Sequence, residues 1–161
     1  MILAVSAYLQ IYNLTHNESY SKRAIELMNF VDKKFKYNET NTFFYLMNRN
    51  FSGPVIYNGM YEINGDFSVK STIEWAHVMV DAFLILRNSS YLRQAEEIFW
   101  AIVSNFYDQD KRAVVTVADI YVLCIRHSIN LMFGYLAFRL YEHTHNSVYQ
   151  EYVIGSIDIL D

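Results

Sequence analysis

The segment Ser71 to Tyr107 holds two contrasting hydrophobic patterns separated by a short polar turn. From Ile73 to Leu86 nearly every position is apolar whichever face is taken, the pattern of a helix buried on all sides. From Leu92 onward, Leu92, Ala95, Phe99, Ile102 and Phe106 recur at spacings of three and four. Arg93, Gln94, Glu96, Glu97, Ser104 and Asn105 occupy the opposite face. The two patterns predict an α-hairpin in which an amphipathic helix covers a buried one.

The same arrangement opens the chain. Ile2 to Leu14 is apolar nearly all round and ends in the polar turn Thr15-His16-Asn17-Glu18, and Ser19 to Phe35 carries the stripe Tyr20, Ala24, Leu27, Met28, Val31 and Phe35. A shift of 71 residues lays Asn17, Ser19, Tyr20, Ala24 and Phe35 on Asn88, Ser90, Tyr91, Ala95 and Phe106. A shift of 129 lays Tyr12, Thr15, His16, Asn17 and Tyr20 on Tyr141, Thr144, His145, Asn146 and Tyr149, inside a third hairpin from about Ser128 to Leu160. Helices are therefore predicted near Ile2–Leu14, Ser19–Phe35, Thr72–Arg87, Ser90–Tyr107, Ser128–His143 and Ser147–Leu160. No such unit buries its apolar face alone, so the units stack, with the uniformly apolar helices inside and the amphipathic ones outside. The expected fold class is mainly α: one domain of α-hairpin repeats over residues 1–161.

The linkers read differently. Between Lys36 and Lys70 lie short β-like runs, Phe43 to Met47, Val55 to Tyr57 and Met60 to Ile63, with Asn58-Gly59 as a type I′ turn signal between the last two. A small β-hairpin excursion is expected there. The second linker, Asp108 to Arg126, starts polar, becomes β-branched at Ala113 to Val117, and then runs apolar to Ile125, where periodicity leaves helix and strand both open.

Composition narrows the classes. The chain is 161 residues long, 53% hydrophobic and 19% charged, with 17% aromatic residues, enough apolar material for a sizeable core. A net charge of −4 and no basic run beyond Lys33-Lys34 and Lys111-Arg112 argue against nucleic acid as a partner. Glu74, His77, Asp81 and Arg87 interrupt the longest apolar run, so no membrane span is expected. The single cysteine, Cys124, sits in an apolar run and reads as a small buried hydrophobe. The opening segment MILAVSAYL lacks a basic start and reads as the first turns of a helix rather than a signal peptide. Asn-x-Ser/Thr occurs at Asn13, Asn17, Asn38, Asn50 and Asn88. Five such triplets suggest an extracellular or cell-surface protein if they carry glycans, and fit a cytoplasmic one if these Asn residues serve turns and helix caps.

The hairpin units resemble those of the α/α toroid, or six-hairpin glycosidase-like, superfamily. The resemblance rests on Tyr12, Asn17, Tyr20, Ala24, Phe35 and Phe43-Phe44, on Asn88, Tyr91, Ala95, Phe106 and Tyr107, and on Tyr141, Asn146 and Tyr149. The flavour is closest to N-acylglucosamine 2-epimerase-like proteins and to toroids attached to thioredoxin-like domains. The resemblance implies a carbohydrate-active domain whose acidic or histidine residues gather at the mouth formed by inner-helix ends and linkers. It also implies a partial ring, since six hairpins close such a toroid and three are found here. No catalytic motif of a member is matched.

Candidate chemistry begins with Glu74, His77 and Asp81, which share one helical face. Glu74 and His77 suit general acid/base work, because an apolar wall raises a carboxyl pKa and an adjacent imidazole shares the proton. The alternative is that Glu74 complements the helix dipole while His77 and Asp81 satisfy buried polar groups. Asp66 and Asp119 lie in the linkers, where a toroid places its mouth and where glycoside hydrolysis needs a carboxylate pair. Tyr57, Tyr61 and Trp75 could stack on a sugar, with core packing as the alternative, and His127 precedes the third inner helix as a substrate contact or cap neighbour. Glu74 and His77 have the E-x-x-H spacing of half a carboxylate-bridged metal site, but the second motif and further Glu residues it needs are absent, no zinc spacing is present, and neither metal nor cofactor is expected. Two functions follow: a carbohydrate-active toroid domain binding a sugar or glycan, or a non-catalytic helical-repeat module docking on a partner. Ala4, Val5, Ala7 and Leu9, and Leu131, Met132, Phe133 and Leu136, make the outer edges of the first and last inner helices apolar, predicting self-association or docking onto a flanking domain.

Overall fold

The computed structural model describes residues 1–37, 40–43, 66–119, 122–125 and 127–158. Among them run six helices, α1 (Ile2–Thr15), α2 (Glu18–Phe35), α3 (Asp66–Leu86), α4 (Ser89–Phe106), α5 (His127–Thr144) and α6 (Val148–Asp158). Five short strands join them: β1 (Lys36–Tyr37), β2 (Thr42–Phe43), β3 (Tyr107–Asp108), β4 (Ala113–Asp119) and β5 (Val122–Ile125). Each inner helix, α1, α3 or α5, pairs with the covering helix that follows it, and α3 lies between α1 and α5.

The repeat is written in the backbone at the hairpin tips. His16, Arg87 and His145 take left-handed conformations, φ 54°, 57° and 54°, each stopping an inner helix. Their N–H groups donate back to the carbonyls of Tyr12 (2.7 Å), Phe83 (2.9 Å) and Tyr141 (2.8 Å), satisfying otherwise orphaned helix-end acceptors. The next residue is an Asn N-cap every time. Asn17, Asn88 and Asn146 accept from the N–H of Ser19, Ser90 and Val148 at 3.0, 3.0 and 3.2 Å. Such a cap contributes about 1 kcal/mol over alanine, so the turn residues stop one helix and start the next. Two of the five glycan triplets, at Asn17 and Asn88, thus coincide with caps, and Asn13 lies exposed on α1.

The register continues through the strands that follow the covering helices. Lys36 pairs with Phe43 and Tyr37 with Thr42; 71 residues on, Tyr107 pairs with Val114 and Asp108 with Ala113. The turns include Asn41 and Arg112, again equivalent and again at positive φ, 57° and 51°. The next inner helix then catches the returning strand. Thr72 Oγ1 accepts from the Phe43 N–H at 3.0 Å. In the following unit Asn130 grips Val114 twice, accepting from its N–H at 2.7 Å and donating to its carbonyl at 2.9 Å. Thr72 and Asn130 are equivalent and both buried, so each strand's backbone polarity is satisfied by the first turns of an inner helix. The undecided second linker is antiparallel sheet, with β4 pairing both β3 and β5. The Asn58-Gly59 hairpin expected in the first linker lies outside the described residues.

The core sits between the helix layers. Val69, Ile73, Trp75, Ala76, Met79, Val80 and Ala82 make α3 buried nearly all round, as its pattern predicts. Phe99 of α4 stacks on Phe133 of α5 with centroids 4.9 Å apart and meets Tyr149 and Tyr152 of α6 edge-on at 5.0 and 5.2 Å, locking the second hairpin to the third. Gly134 lets α5 and α6 cross closely, since a Cβ there would come within 2.5 Å of Ser156 Cβ. Two expectations are corrected. α3 begins at Asp66 rather than near Thr72, because Phe67 to Lys70 extend the helix ahead of the uniformly apolar stretch. α1 is not buried all round: only Val5 and Leu9 are, because among the described residues it is covered mainly by α2 and α3.

Candidate functional site on the inner helices

The repeat register sets inner-helix positions side by side. His77 of α3 and Tyr135 of α5 are equivalent residues, 58 apart, and their rings stack at 5.4 Å with an interplanar angle of 28°. Asp81 and Arg139 are the equivalent pair one turn on, and the guanidinium bridges back to the carboxylate. Arg139 also donates to the His77 carbonyl at 3.3 Å and lies 5.9 Å from the Tyr135 ring centroid. The α3 face read from sequence as Glu74, His77 and Asp81 therefore meets an aromatic and a cation from α5.

The tautomer of His77 follows from its partners. Nε2 is 3.0 Å from the Met132 carbonyl, which only accepts, so Nε2 carries the proton. Nδ1 is then bare and accepts from Arg139 at 3.3 Å. Burial, with Arg139 beside it, pushes the His77 pKa below its ordinary value, against the opposing pull of the Met132 carbonyl and Asp81. A neutral imidazole with both nitrogens engaged clasps α3 to α5, so exchanging a proton with Glu74 requires breaking the clasp. Glu74 itself is half-buried and faces Lys70 at 3.6 Å, a loose, partly exposed pair of small energetic weight.

The other candidates fall in different places. Trp75 belongs to the core and not to a sugar-stacking platform: it is fully buried, and its indole donates to Asp32 at 3.0 Å. Burial raises the Asp32 pKa, while the indole bond opposes the shift. Asp66, expected in a linker, is the first residue of α3, and Asp119, also expected in a linker, ends β4. His127 is exposed at the start of α5. Asp66 and His127 begin the inner helices α3 and α5, whose first turns receive the returning strands at Phe43 and Val114. Tyr57 and Tyr61 lie outside the described residues. Among the described residues no cluster of three or more His, Cys, Asp or Glu side chains could hold a metal ion, and no helix is long and apolar enough to cross a membrane.

Tyr135 and Arg139 escape sequence reading. Their signal is the offset of 58 residues that carries His77 and Asp81 onto them, which appears only once the second and third hairpins are aligned to each other.

The three-hairpin frame has a match among solved structures. A GH76 alpha-mannanase from Bacteroides thetaiotaomicron aligns with a TM-score of 0.68 over 96% of this chain at 11% identity. The fold is that of an α/α toroid. The chain spans 38% of the length of that enzyme, a sector of the toroid rather than its full extent. No protein-family model matches the sequence, and no curated protein matches it. The likeness extends to the fold alone and lends nothing to the narrower epimerase flavour.

Proposed function

We propose that this chain is a carbohydrate-binding sector of an α/α toroid, holding a sugar or glycan over the inner-helix face at Glu74 and Tyr135. The observation that carries the reading is the fold: nearly the whole chain follows a glycosidase toroid. The face supplies suitable chemistry. Tyr135 is 58% exposed and stacked on His77, a ring held for contact with an apolar sugar face, and Glu74 offers a half-buried acceptor for sugar hydroxyls. His77, Asp81 and Arg139 hold that ring and are positioning residues. Glycoside hydrolysis needs a second carboxyl group within reach, and Asp66 and Asp119 are the candidates.

Titration calorimetry with α-mannan oligosaccharides tests the reading. Saturable binding that is lost in Tyr135→Ala and Glu74→Gln, with the helical circular dichroism unchanged, is the expected result. A folded chain that takes up neither mannan, glucan nor N-acetylhexosamine oligosaccharides at millimolar concentration removes it. The other reading, a module that docks on a protein, is favoured by one separate observation, the apolar side of the third hairpin.

A further inference from the structure

We propose that the first hairpin of a second copy of this chain docks on the open side of the third hairpin, continuing the stacking that the molecule already makes twice. Equivalent positions of the repeat differ in exposure. Leu131 and Phe138 of α5 are 45% and 42% exposed, yet their equivalents in α3, Ile73 and Val80, are fully buried. Ile157 of α6 is 55% exposed, while its equivalents Phe99 and Met28 are buried. Phe99 shows what does the burying: its ring partners Phe133, Tyr149 and Tyr152 all come from the following hairpin. The third hairpin therefore carries the same apolar positions as the first two with no following hairpin on them among the described residues.

The opposite edge is its counterpart. Ala7 and Ile11 of α1 are exposed, whereas their equivalents Val78 and Ala82 in α3, and Leu136 and Leu140 in α5, are buried. Among the described residues, no hairpin follows on one edge and none precedes on the other. The first hairpin is built on the same frame as the second and third, with the same tips, caps and strand register as the second. It is thus a follower of the right shape for the open side of the third. The contact is heterologous, α5 and α6 of one copy against α1 and α2 of another, and two copies that each use both edges close a ring. Exposed apolar area of this kind is rarely left bare on a monomer. The inference is independent of sugar binding, which involves the α3–α5 face.

Sedimentation equilibrium tests it with two variants, one per edge: Leu131→Glu/Phe138→Glu on α5 and Ala7→Glu/Ile11→Glu on α1. The wild-type chain is expected above 19.0 kDa, and each variant alone at 19.0 kDa with unchanged helical circular dichroism. An equimolar mixture of the two is expected to form a one-to-one heterodimer, because each supplies the edge that the other lacks. If a double substitution disturbs folding, Leu131→Lys and Ala7→Lys serve in its place. A wild-type monomer at all concentrations overturns the proposal, and so does a mixture that stays monomeric.

Discussion

The hairpin tips and the inner face of the array stand at opposite ends of what the repeat preserves. At the tips, three turns share a left-handed residue and an Asn cap in the same register, and two strand returns are caught by equivalent side chains. On the inner face the equivalent positions hold Ser6, His77 and Tyr135, then Gln10, Asp81 and Arg139, with no common chemistry. Backbone groups must be satisfied alike in every unit, whereas an inner-face side chain meets only its neighbours or a ligand. The difference separates frame from site: where units agree they hold the fold, and where they diverge they are free to act.

The largest effect should come from the frame. Phe99→Ala removes the ring that joins the second hairpin to the third and should lower stability by about 3–5 kcal/mol in urea unfolding. Tyr135→Ala, on the exposed inner face, should change it by about 0.5 kcal/mol or less. Similar losses from the two would erase the distinction. Next, Asn130→Ala removes both bonds that Asn130 makes to the Val114 backbone, at a cost of about 2–4 kcal/mol.

The clasp between frame and face is sensitive to pH. The folded-state pKa of His77 lies below its ordinary 6.5, so as pH falls below about 6.5 the unfolded chain takes up the proton first. Stability from this residue is complete above that pH, is lost as pH falls toward the folded pKa, and levels off below it. His77→Gln should remove that slope. Arg139→Met should narrow it without abolishing it, since burial is the larger cause of the shift. Smaller than the other frame losses, Asn17→Ala, Asn88→Ala and Asn146→Ala should each cost about 1 kcal/mol, alike in all three hairpins.

Much of the frame was legible from sequence because burial imposes periodicity and caps impose residue types. The turn signals Asn17, Asn88 and Asn146 and the stripes of α2 and α4 place the helices to within a residue or two, except at the start of α3. The β-branched run Ala113 to Val117 marks β4, but the strands that directly follow the covering helices were not legible. Lys36–Tyr37 and Tyr107–Asp108 are too brief for an alternating pattern, and only the repeat of their pairing exposes them. The site was half legible. Glu74, His77 and Asp81 show their shared face through helical spacing, but that His77 is held by Met132 and Arg139 depends on how α5 packs against α3, which no local pattern encodes. Trp75 shows the limit most clearly, since an aromatic beside a polar face reads equally well as platform or core until Asp32 is seen to accept its indole proton.

The most direct measurement of the division between frame and face is a backbone and side-chain NMR titration of the 161-residue chain with α-mannan oligosaccharides. The account predicts saturable shift changes centred on Glu74, His77, Tyr135 and Arg139, with the tip residues Asn17, Asn88 and Asn146 unmoved. Changes confined to the covering helices α2, α4 and α6, or no changes at saturating sugar, would contradict it.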